Sequence, residues 1–408
     1  MSMDSKVPEV RFKGFSEAWE NKKIGRILAE IKRPIELMDN ASYQLVTVKR
    51  RNEGVVPRVV LKGKNILVKN YFSVKAGDYL ISKRQVVHGA NGIVPDNLDG
   101  AVVSNEYLVV TDSDDITARY WTVISIRPEM HKLFFVSSYG VDIEKLVFDV
   151  ADWKNRTIVI PQVTEQKSIT DYFLKLDNLI NQHQQKHDKL SSIKKAMLEK
   201  MFPKQGETIP EIRFKEFSGE WEEKKLFDEA IVTTGFPFDS AEFSSSGDFL
   251  VITNGNIQNN SAVVDGKIGN RIATDKIACL SQYILNAGDI LITMDGSVGR
   301  TAKVIETRQI LAQRVGRLVA KNNTEFLYQS LNTGVFLEAM TTISHGGTIK
   351  HISLSEISNY ALLVPKDLEE QVKIGSSLKK LDDLIAQHQQ QISKLNNIKQ
   401  ACLSKMFV

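Results

Sequence analysis

Cysteine is nearly absent from this chain, which has 2 cysteines in 408 residues. Cys279 and Cys402 lie far apart, so the sequence has neither a disulfide framework nor the CxxC spacing of a zinc site. Long apolar runs are also absent, because no stretch approaches the roughly 18 apolar residues that span a bilayer. The N-terminal MSMDSKVPEV has no apolar core typical of a signal peptide. These absences predict a cytoplasmic globular protein, and a length of 408 residues at about 150 per domain predicts two or three domains.

Catalytic motifs are missing as well. The stretch MDGSVGR from Met294 lacks the lysine of a phosphate-binding loop and the spacing of a dinucleotide fingerprint, and so favours a turn before a strand. The sequence contains no NPP motif of an amino-methyltransferase. Pro95, Asp96 and Glu106 resemble part of a nuclease carboxylate set, but Leu108 stands where a lysine is expected. The sequence therefore predicts a non-catalytic protein without a directly bound cofactor.

An internal repeat is the strongest feature that is present. The segment PEVRFKGFSEAWENKKI from Pro8 returns from Pro210 as PEIRFKEFSGEWEEKKL, with 11 of 17 positions identical. A longer segment, EQKSITDYFLKLDNLINQHQQKHDKLSSIKKAMLEKMF from Glu165, returns from Glu370 as EQVKIGSSLKKLDDLIAQHQQQISKLNNIKQACLSKMF, with 21 of 38 positions identical. Between these segments the two halves share little beyond AGDYLIS and AGDILIT. The repeated segments thus flank two intervening segments of dissimilar sequence.

The longer repeated segment has the spacing of a coiled coil. Apolar positions alternate steps of three and four, and the prolines at 161 and 365 precede the two copies while Pro203 ends the first. About 36 residues at 1.5 Å each give a helix of roughly 50 Å. The predicted seam consists of Ile169, Phe173, Leu176, Ile180, Leu190, Ile374, Leu378, Leu381, Ile385, Ile392 and Leu395.

Two readings of these helices remain open. They could pair with each other as an antiparallel spacer, or serve only as a dimerisation rod; the duplication favours the spacer. His183 and His187 have the one-turn spacing of half a zinc site, but the matching positions in the second copy are His388 and Ile392. A seam or surface role is therefore predicted for these histidines, and no metal site.

The segments between the repeats predict mixed structure. Runs such as DYLISKRQVV and DILITMDGSVGRTAKVI favour strands, and the stretches 117–138 and 324–343 favour helices. The predicted fold class is α+β, a pseudo-two-fold tandem repeat of two mixed modules, each followed by a long helix. The predicted boundaries are 1–160 for the first module, 161–203 for its helix, 204–364 for the second module and 365–408 for the last helix.

Charge is unevenly distributed within the first module. Residues 45–91 hold ten basic and two acidic side chains, a net charge of +8, whereas residues 92–160 hold six basic and eleven acidic ones, a net charge of −5. A one-sided basic face of this kind is typical of DNA binding, although a solvated lysine-rich surface remains an alternative for any one residue. The candidate DNA contacts are Lys49, Arg50, Arg51, Asn52, Arg58, Lys83, Arg84, Gln85 and His88.

The second module offers a similar set. Residues 267–321 carry nine basic and four acidic side chains, and the polar run from Ser344 to His351 has the glycines of a loop that can approach phosphate. Arginine pairs with guanine, and asparagine or glutamine with adenine. The candidates here are Asn254, Asn256, Gln258, Arg300, Gln313, Arg314, Arg317, His345 and Lys350.

The order of these motifs resembles the DNA-specificity subunit of Type I restriction-modification systems. The matching features are RFKGFSEAWENKKI and RFKEFSGEWEEKKL, the GDYLIS and GDILIT strands, the Pro…EQ lead-ins, and the helix ends KAMLEKMF and QACLSKMF. The resemblance implies two target recognition domains that each read one half of an asymmetric, interrupted DNA target, with the helix pair setting the gap. It also implies docking of two methyltransferase subunits, which use S-adenosylmethionine for DNA methylation, and of motor-nuclease restriction subunits, which use ATP.

Two other functions compete with this one. A non-catalytic coiled-coil scaffold would organise partners without reading DNA sequence, and the basic cluster at residues 45–91 distinguishes it from a DNA reader. The recognition arm of a fused restriction enzyme would need a catalytic domain, which the sequence is expected to lack.

Overall fold

The computed structural model describes residues 6–67, 70–239, 241, 243–258, 261–273 and 280–408, so Cys279 lies outside the described residues. These residues form two compact units. One contains Met1–Gln182 and Ile392–Val408, and the other contains His183–Gln391. Each unit therefore combines one module with parts of both long helices, and the four segment boundaries predicted from the sequence stay predictions.

The first unit is built around two antiparallel or mixed sheets. A four-stranded sheet has the order Ala29–Glu30, Tyr107–Thr111, Tyr79–Ser82, Asn91–Ile93, and a five-stranded sheet has the order Pro34–Ile35, Tyr71–Ser73, Val102–Ser104, Ser42–Val48, Val55–Lys62. Two-stranded pairs join Glu20–Lys23 to Thr157–Ile160 and Ser138–Tyr139 to Val147–Phe148. The short helices are Ile24–Ile27, Ala118–Ser125, Pro128–Val136 and Val150–Lys154.

The second unit repeats the central sheet of the first. Its four-stranded sheet has the order Ala230–Thr234, Val315–Ala320, Ile290–Thr293, Thr301–Lys303, and a three-stranded sheet has the order Arg271–Ile272, Phe249–Ile252, Gln309–Leu311. Glu222–Lys225 pairs with Ala361–Val364. The short helices are Leu226–Glu229, Thr324–Ser330, Gly334–Ile343 and Leu354–Ser358. The α+β fold class is confirmed, and two modules of unlike sequence share one sheet plan.

The repeated AGD motif precedes an equivalent buried strand in each module. Strands Tyr79–Ser82 and Ile290–Thr293 follow it, and all four residues of each strand are buried. The motif's aspartates are buried as well: Asp78 accepts hydrogen bonds from Arg33 at 2.5 and 3.0 Å, and Asp289 pairs with Arg317 at 2.7 Å. A buried carboxylate needs such a partner, so each module supplies one arginine to it.

The stretches that predict helix are each broken in two. The first divides into Ala118–Ser125 and Pro128–Val136, and the second into Thr324–Ser330 and Gly334–Ile343. Proline disfavours helical geometry at the preceding residue, and Arg127 is accordingly extended. Thr333, which precedes Gly334, is extended too. Apolar periodicity thus identified helical sequence but not the break within it.

The long helices Val163–Lys200 and Leu368–Lys405 pair antiparallel. In the first unit the Lys399 ammonium lies 2.5 Å from the Asp177 carboxylate, and in the second Lys194 lies 2.5 Å from Asp382. These ion pairs occupy equivalent positions of the repeat, and every residue of the predicted seam is buried or half-buried. The antiparallel coiled coil predicted from the heptads is confirmed.

Aromatic side chains attach the helices to each module. In the first unit Phe407 packs edge-on against Trp19 with ring centroids 5.9 Å apart. In the second unit Phe202, its equivalent in the repeat, packs on Trp221, also at 5.9 Å. The phenylalanine of the repeated MF pair therefore contacts the repeated tryptophan in both units, and the burial of these rings contributes to each core.

Candidate nucleic-acid interface

A tight turn in the first module carries four of the candidate residues. Lys49–Asn52 lies between strands Ser42–Val48 and Val55–Lys62, and Arg51 and Asn52 have φ values of 60° and 57°. The Arg51 N–H donates to the His88 carbonyl at 2.7 Å, and the Asn52 N–H donates to the Gly89 carbonyl at 2.8 Å. Left-handed backbone at two successive non-glycine residues is unfavourable and persists where the surroundings fix it. The turn is therefore held against the loop that carries Gln85 and His88.

The side chains of this turn are tied to the same loop and to an acid. Arg50 donates from Nε to the Gln85 Oε1 at 2.8 Å and from Nη2 to Glu144 at 2.7 Å. Glu144 also lies 3.6 Å from the His88 ring. Asn91 donates to the Asn52 side-chain oxygen at 3.1 Å. The fold thus joins Arg50, Asn52, Gln85 and His88 in one cluster, which we call the first-module cluster.

The remaining candidates of this module surround that cluster less closely. Arg84 donates to Glu106 at 2.8 Å, and Lys83 donates to the Asn105 carbonyl at 2.7 Å. Burial lowers the pKa of the Lys83 ammonium. Arg58 is exposed on strand Val55–Lys62.

The predicted one-sided basic face is therefore incorrect in one respect. Lys49 lies 3.6 Å from Glu53, and Arg50 and Arg84 pair with Glu144 and Glu106. The last two acids belong to the acidic half of the module, which the chain folds back onto the basic half. Some of the positive charge seen in the sequence is therefore balanced locally.

The second module gathers candidates around Asp295. Its carboxylate accepts a hydrogen bond from Arg314 Nη1 at 2.9 Å and contacts the His351 ring. His345 packs edge-on against His351 with ring centroids 5.4 Å apart. Gln313 and Lys350 are exposed beside these residues in the chain. We call Gln313, Arg314, His345, Lys350 and His351 the second-module cluster.

Two candidates of the second module have structural roles instead, which corrects the sequence prediction. Asn256 is buried: its amide nitrogen donates to the carbonyls of Asp265 and Ile268 at 2.8 Å each, and its oxygen accepts from the Thr253 N–H at 2.9 Å. The Arg317 side chain is only 11% exposed and pairs with Asp289. Neither side chain is available to a base, because Asn256 is buried with its amide engaged and the Arg317 guanidinium is mostly buried against Asp289.

The last three candidates lie apart from the Asp295 contacts. Gln258 donates to Asp265 at 3.1 Å, and Asn254 begins the short turn Asn254–Asn256. Arg300 lines a pocket of about 330 Å³ that Gln258 and Lys194 also line.

Sequence reasoning missed Glu144 and Asp295, the two acids that hold these clusters together. A prediction of DNA contacts selects cationic and amide side chains, because these bind phosphates and bases. An acid in the same region argues against DNA binding, so neither acid was selected. No spacing in the sequence links Glu144 to Arg50, or Asp295 to His351, because the chain folding alone brings them together.

Across the part of the chain that the structure describes, no group of three or more histidine, cysteine or carboxylate side chains is placed to hold a metal ion. None of the described helices has the length and apolarity to cross a bilayer.

Comparisons with known proteins agree on one family. Residues 218–397 match the Type I restriction modification DNA specificity domain. The chain is 24% identical over 398 residues to the Type I restriction enzyme MjaVIII specificity subunit of Methanocaldococcus jannaschii, covering 90% of this chain and 87% of that protein. The solved structure of the Type-I restriction-modification system S subunit from M. genitalium aligns with a TM-score of 0.64 at 14% identity, over 98% of this chain and 99% of that one. This structural likeness shows the fold.

Proposed function

We propose that the chain is a specificity subunit of the Type I restriction-modification kind that it resembles, and that each of its modules reads one half of an asymmetric, interrupted DNA target. The observation that carries this proposal is the contrast between scaffold and surface. The two modules share a four-stranded sheet of the same order, yet the first-module cluster and the second-module cluster present different side chains. Equal scaffolds with unequal polar surfaces fit two unlike half-sites.

The helix pair is proposed to set the gap between the half-sites. Each helix has 38 residues, which at about 1.5 Å per residue gives about 57 Å. The equivalent ion pairs Asp177–Lys399 and Lys194–Asp382 fix the axial register of one helix against the other. A fixed register is what a spacer requires and what a flexible tether lacks.

The protein is further proposed to recognise DNA without modifying it. In this proposal two methyltransferase subunits bind S-adenosylmethionine and carry out DNA methylation, and motor-nuclease restriction subunits use ATP. The chain itself binds neither cofactor and acts in the cytoplasm. The absence of catalytic motifs from the sequence supports this division of labour.

A binding experiment tests the proposal. The target would first be located by mapping methylated adenines with the partner methyltransferase present, and the full chain then titrated with duplexes altered in one half-site. We expect Arg50→Ala to weaken readout of one half-site and Arg314→Ala that of the other, each by about 1–3 kcal/mol. Lys215→Ala, at an exposed cation outside both clusters, is the control. A scaffold would give no sequence-selective binding at any salt concentration.

A further inference from the structure

Asp295 is the point at which three segments of the second module meet. The carboxylate holds Arg314, which follows strand Gln309–Leu311, and His351, which closes the polar loop that begins at Ser344. Asp295 itself follows strand Ile290–Thr293. Its side chain is 15% exposed, whereas that of Arg314 is 66% exposed. A mostly buried acid therefore holds the guanidinium of a side chain that is otherwise largely exposed to solvent.

The loop has little apolar packing to hold it. Ile349 is 68% exposed, and the backbone contacts of the loop include the paired hydrogen bonds between His345 and His351 at 2.8 and 3.0 Å and a 2.8 Å bond from the Gly296 N–H to the Lys350 carbonyl. Few buried contacts mean low local stability. The contact between Asp295 and His351 adds to these bonds, as does the His345 ring, which lies 3.7 Å from the Glu356 carboxylate.

Arg314 shows a second sign of constraint. Its φ is 73°, in the left-handed region that side chains other than glycine, asparagine and aspartate rarely adopt. Such a conformation is unfavourable and persists where other contacts impose it. The Arg314 carbonyl accepts from the Met294 N–H at 3.3 Å, and its guanidinium is held by Asp295.

The first module contains the same combination of groups. Glu144 holds Arg50 and faces His88, and it lies on the hairpin formed by Ser138–Tyr139 and Val147–Phe148. The tip of that hairpin is also unpacked, since Val141 is fully exposed. Here the acid is on the hairpin and the histidine on the module body, whereas the second module has the reverse. In each case one carboxylate joins an exposed arginine, a histidine and an unpacked loop.

An ordinary surface ion pair does not account for this arrangement. Such pairs contribute little to stability, and a negative charge beside DNA repels phosphate and lowers affinity. An acid within a DNA-binding cluster is useful if it fixes the direction of an arginine before DNA arrives, because ordering the side chain then costs less on binding.

We propose that Asp295 and Glu144 are positioning residues for DNA readout, one in each module, and that each orients its arginine and adjoining loop toward one half-site. This inference rests on the proposed function. The carboxylates do not contact DNA bases. They act through Arg314 and His351 in the second module and through Arg50 and His88 in the first.

The test measures selectivity separately from affinity. The full chain would be titrated by fluorescence anisotropy with the target duplex, with duplexes scrambled in one half-site, and with a fully scrambled duplex, at several salt concentrations. We expect Asp295→Asn to reduce discrimination at one half-site at least fivefold and leave the other unchanged, while binding to the scrambled duplex stays equal or tightens because a negative charge is lost. Glu144→Gln is expected to give the opposite half-site pattern.

Glu338→Gln provides the matched control, because it removes one exposed acid from the second module outside the cluster. It should leave discrimination at both half-sites unchanged. Should Asp295→Asn lower the unfolding midpoint, His351→Gln offers a second way to release the loop with the carboxylate intact. The inference is overturned if Asp295→Asn behaves like Glu338→Gln, or if both half-sites lose discrimination equally. Failure of the unaltered chain to discriminate any duplex would instead reject the proposed function.

Discussion

Arg213 donates from Nε and Nη2 to the two carboxylate oxygens of Glu370, and both hydrogen bonds are 2.7 Å long. Arg11 makes the same bidentate contact with Glu165 at 2.7 and 2.6 Å. These pairs join the RFK segment that begins each repeat to the first turn of each long helix, where the helix dipole also favours an acid. The two strongest repeats in the sequence are thus physically bonded to each other within each unit.

Breaking this contact should destabilise the protein strongly. Glu370 is 1% exposed and Arg213 is 14% exposed, so Glu370→Ala leaves a buried guanidinium without its partner. We expect a loss of about 3–5 kcal/mol in the free energy of unfolding, measured by urea titration. Glu216→Ala, which removes an acid from an exposed pair with Lys373, should cost under about 1 kcal/mol. An equal loss of unfolding free energy in the two variants would contradict a special role for the buried pair.

The helix pair should weaken in acid. His183 and His388 occupy equivalent positions of the repeat, and their Nδ1 atoms lie 2.9 Å apart. Burial lowers the pKa of His388, and His183, Lys186 and His187 lower it further. The pKa of His388 in the folded protein lies below the ordinary value of about 6.5. The stability that the neutral histidine contributes is therefore complete above that pH and is lost as the pH falls through the folded pKa. Urea midpoints should therefore decrease from pH about 7.5 to about 5.5.

His388→Gln is the control for this pH effect, since glutamine has no titrating group. Its urea midpoint should depend less on pH than that of the unaltered chain. An identical slope in both proteins would exclude the histidine pair as the cause.

Asn52 allows backbone and side-chain roles to be separated. Its φ is 57°, so Asn52→Gly keeps the turn and removes only the amide, whereas Asn52→Val forces a β-branched residue into left-handed backbone. We expect the valine variant to lose about 1–2 kcal/mol of stability in thermal unfolding and the glycine variant much less. Under the proposed function the glycine variant should still lose selectivity at one half-site. Full selectivity of Asn52→Gly would remove Asn52 from the readout set.

Helix length should control the target gap. Deleting residues 179–185 and 384–390 removes one heptad at equivalent positions of both helices and preserves the seam. Seven residues at about 1.5 Å shorten each helix by about 10 Å, or about three base pairs at 3.4 Å each. Methylated-adenine maps made with the partner methyltransferase should show a correspondingly shorter gap. An unchanged gap would reject the spacer role.

The scaffold was predictable from the sequence because it is repetitive and periodic. Heptad spacing identified both long helices, and the AGD motif marked equivalent buried strands in two otherwise dissimilar modules. Such patterns arise from burial of one face of an element, which local sequence records directly. Breaks within the shorter helical stretches were not predicted, because they depend on single backbone conformations at Arg127 and Thr333.

The candidate site was only partly predictable. Composition identified basic and amide residues, but it could not tell Arg314, which is exposed, from Arg317, which is buried against Asp289. The two arginines are three residues apart in the chain, and their roles differ because Arg317 lies within strand Val315–Ala320, whereas Arg314 lies in left-handed backbone just before that strand.

The sequence by itself determined the duplication and the two pairing helices, since each is recorded in periodicity or in repeated letters. Tertiary structure alone decided which charges remain available. Glu144 meets Arg50 across 94 residues of chain, and Asp295 meets His351 across 56. Contacts over such separations are set by how sheets and loops pack, and no local pattern encodes them.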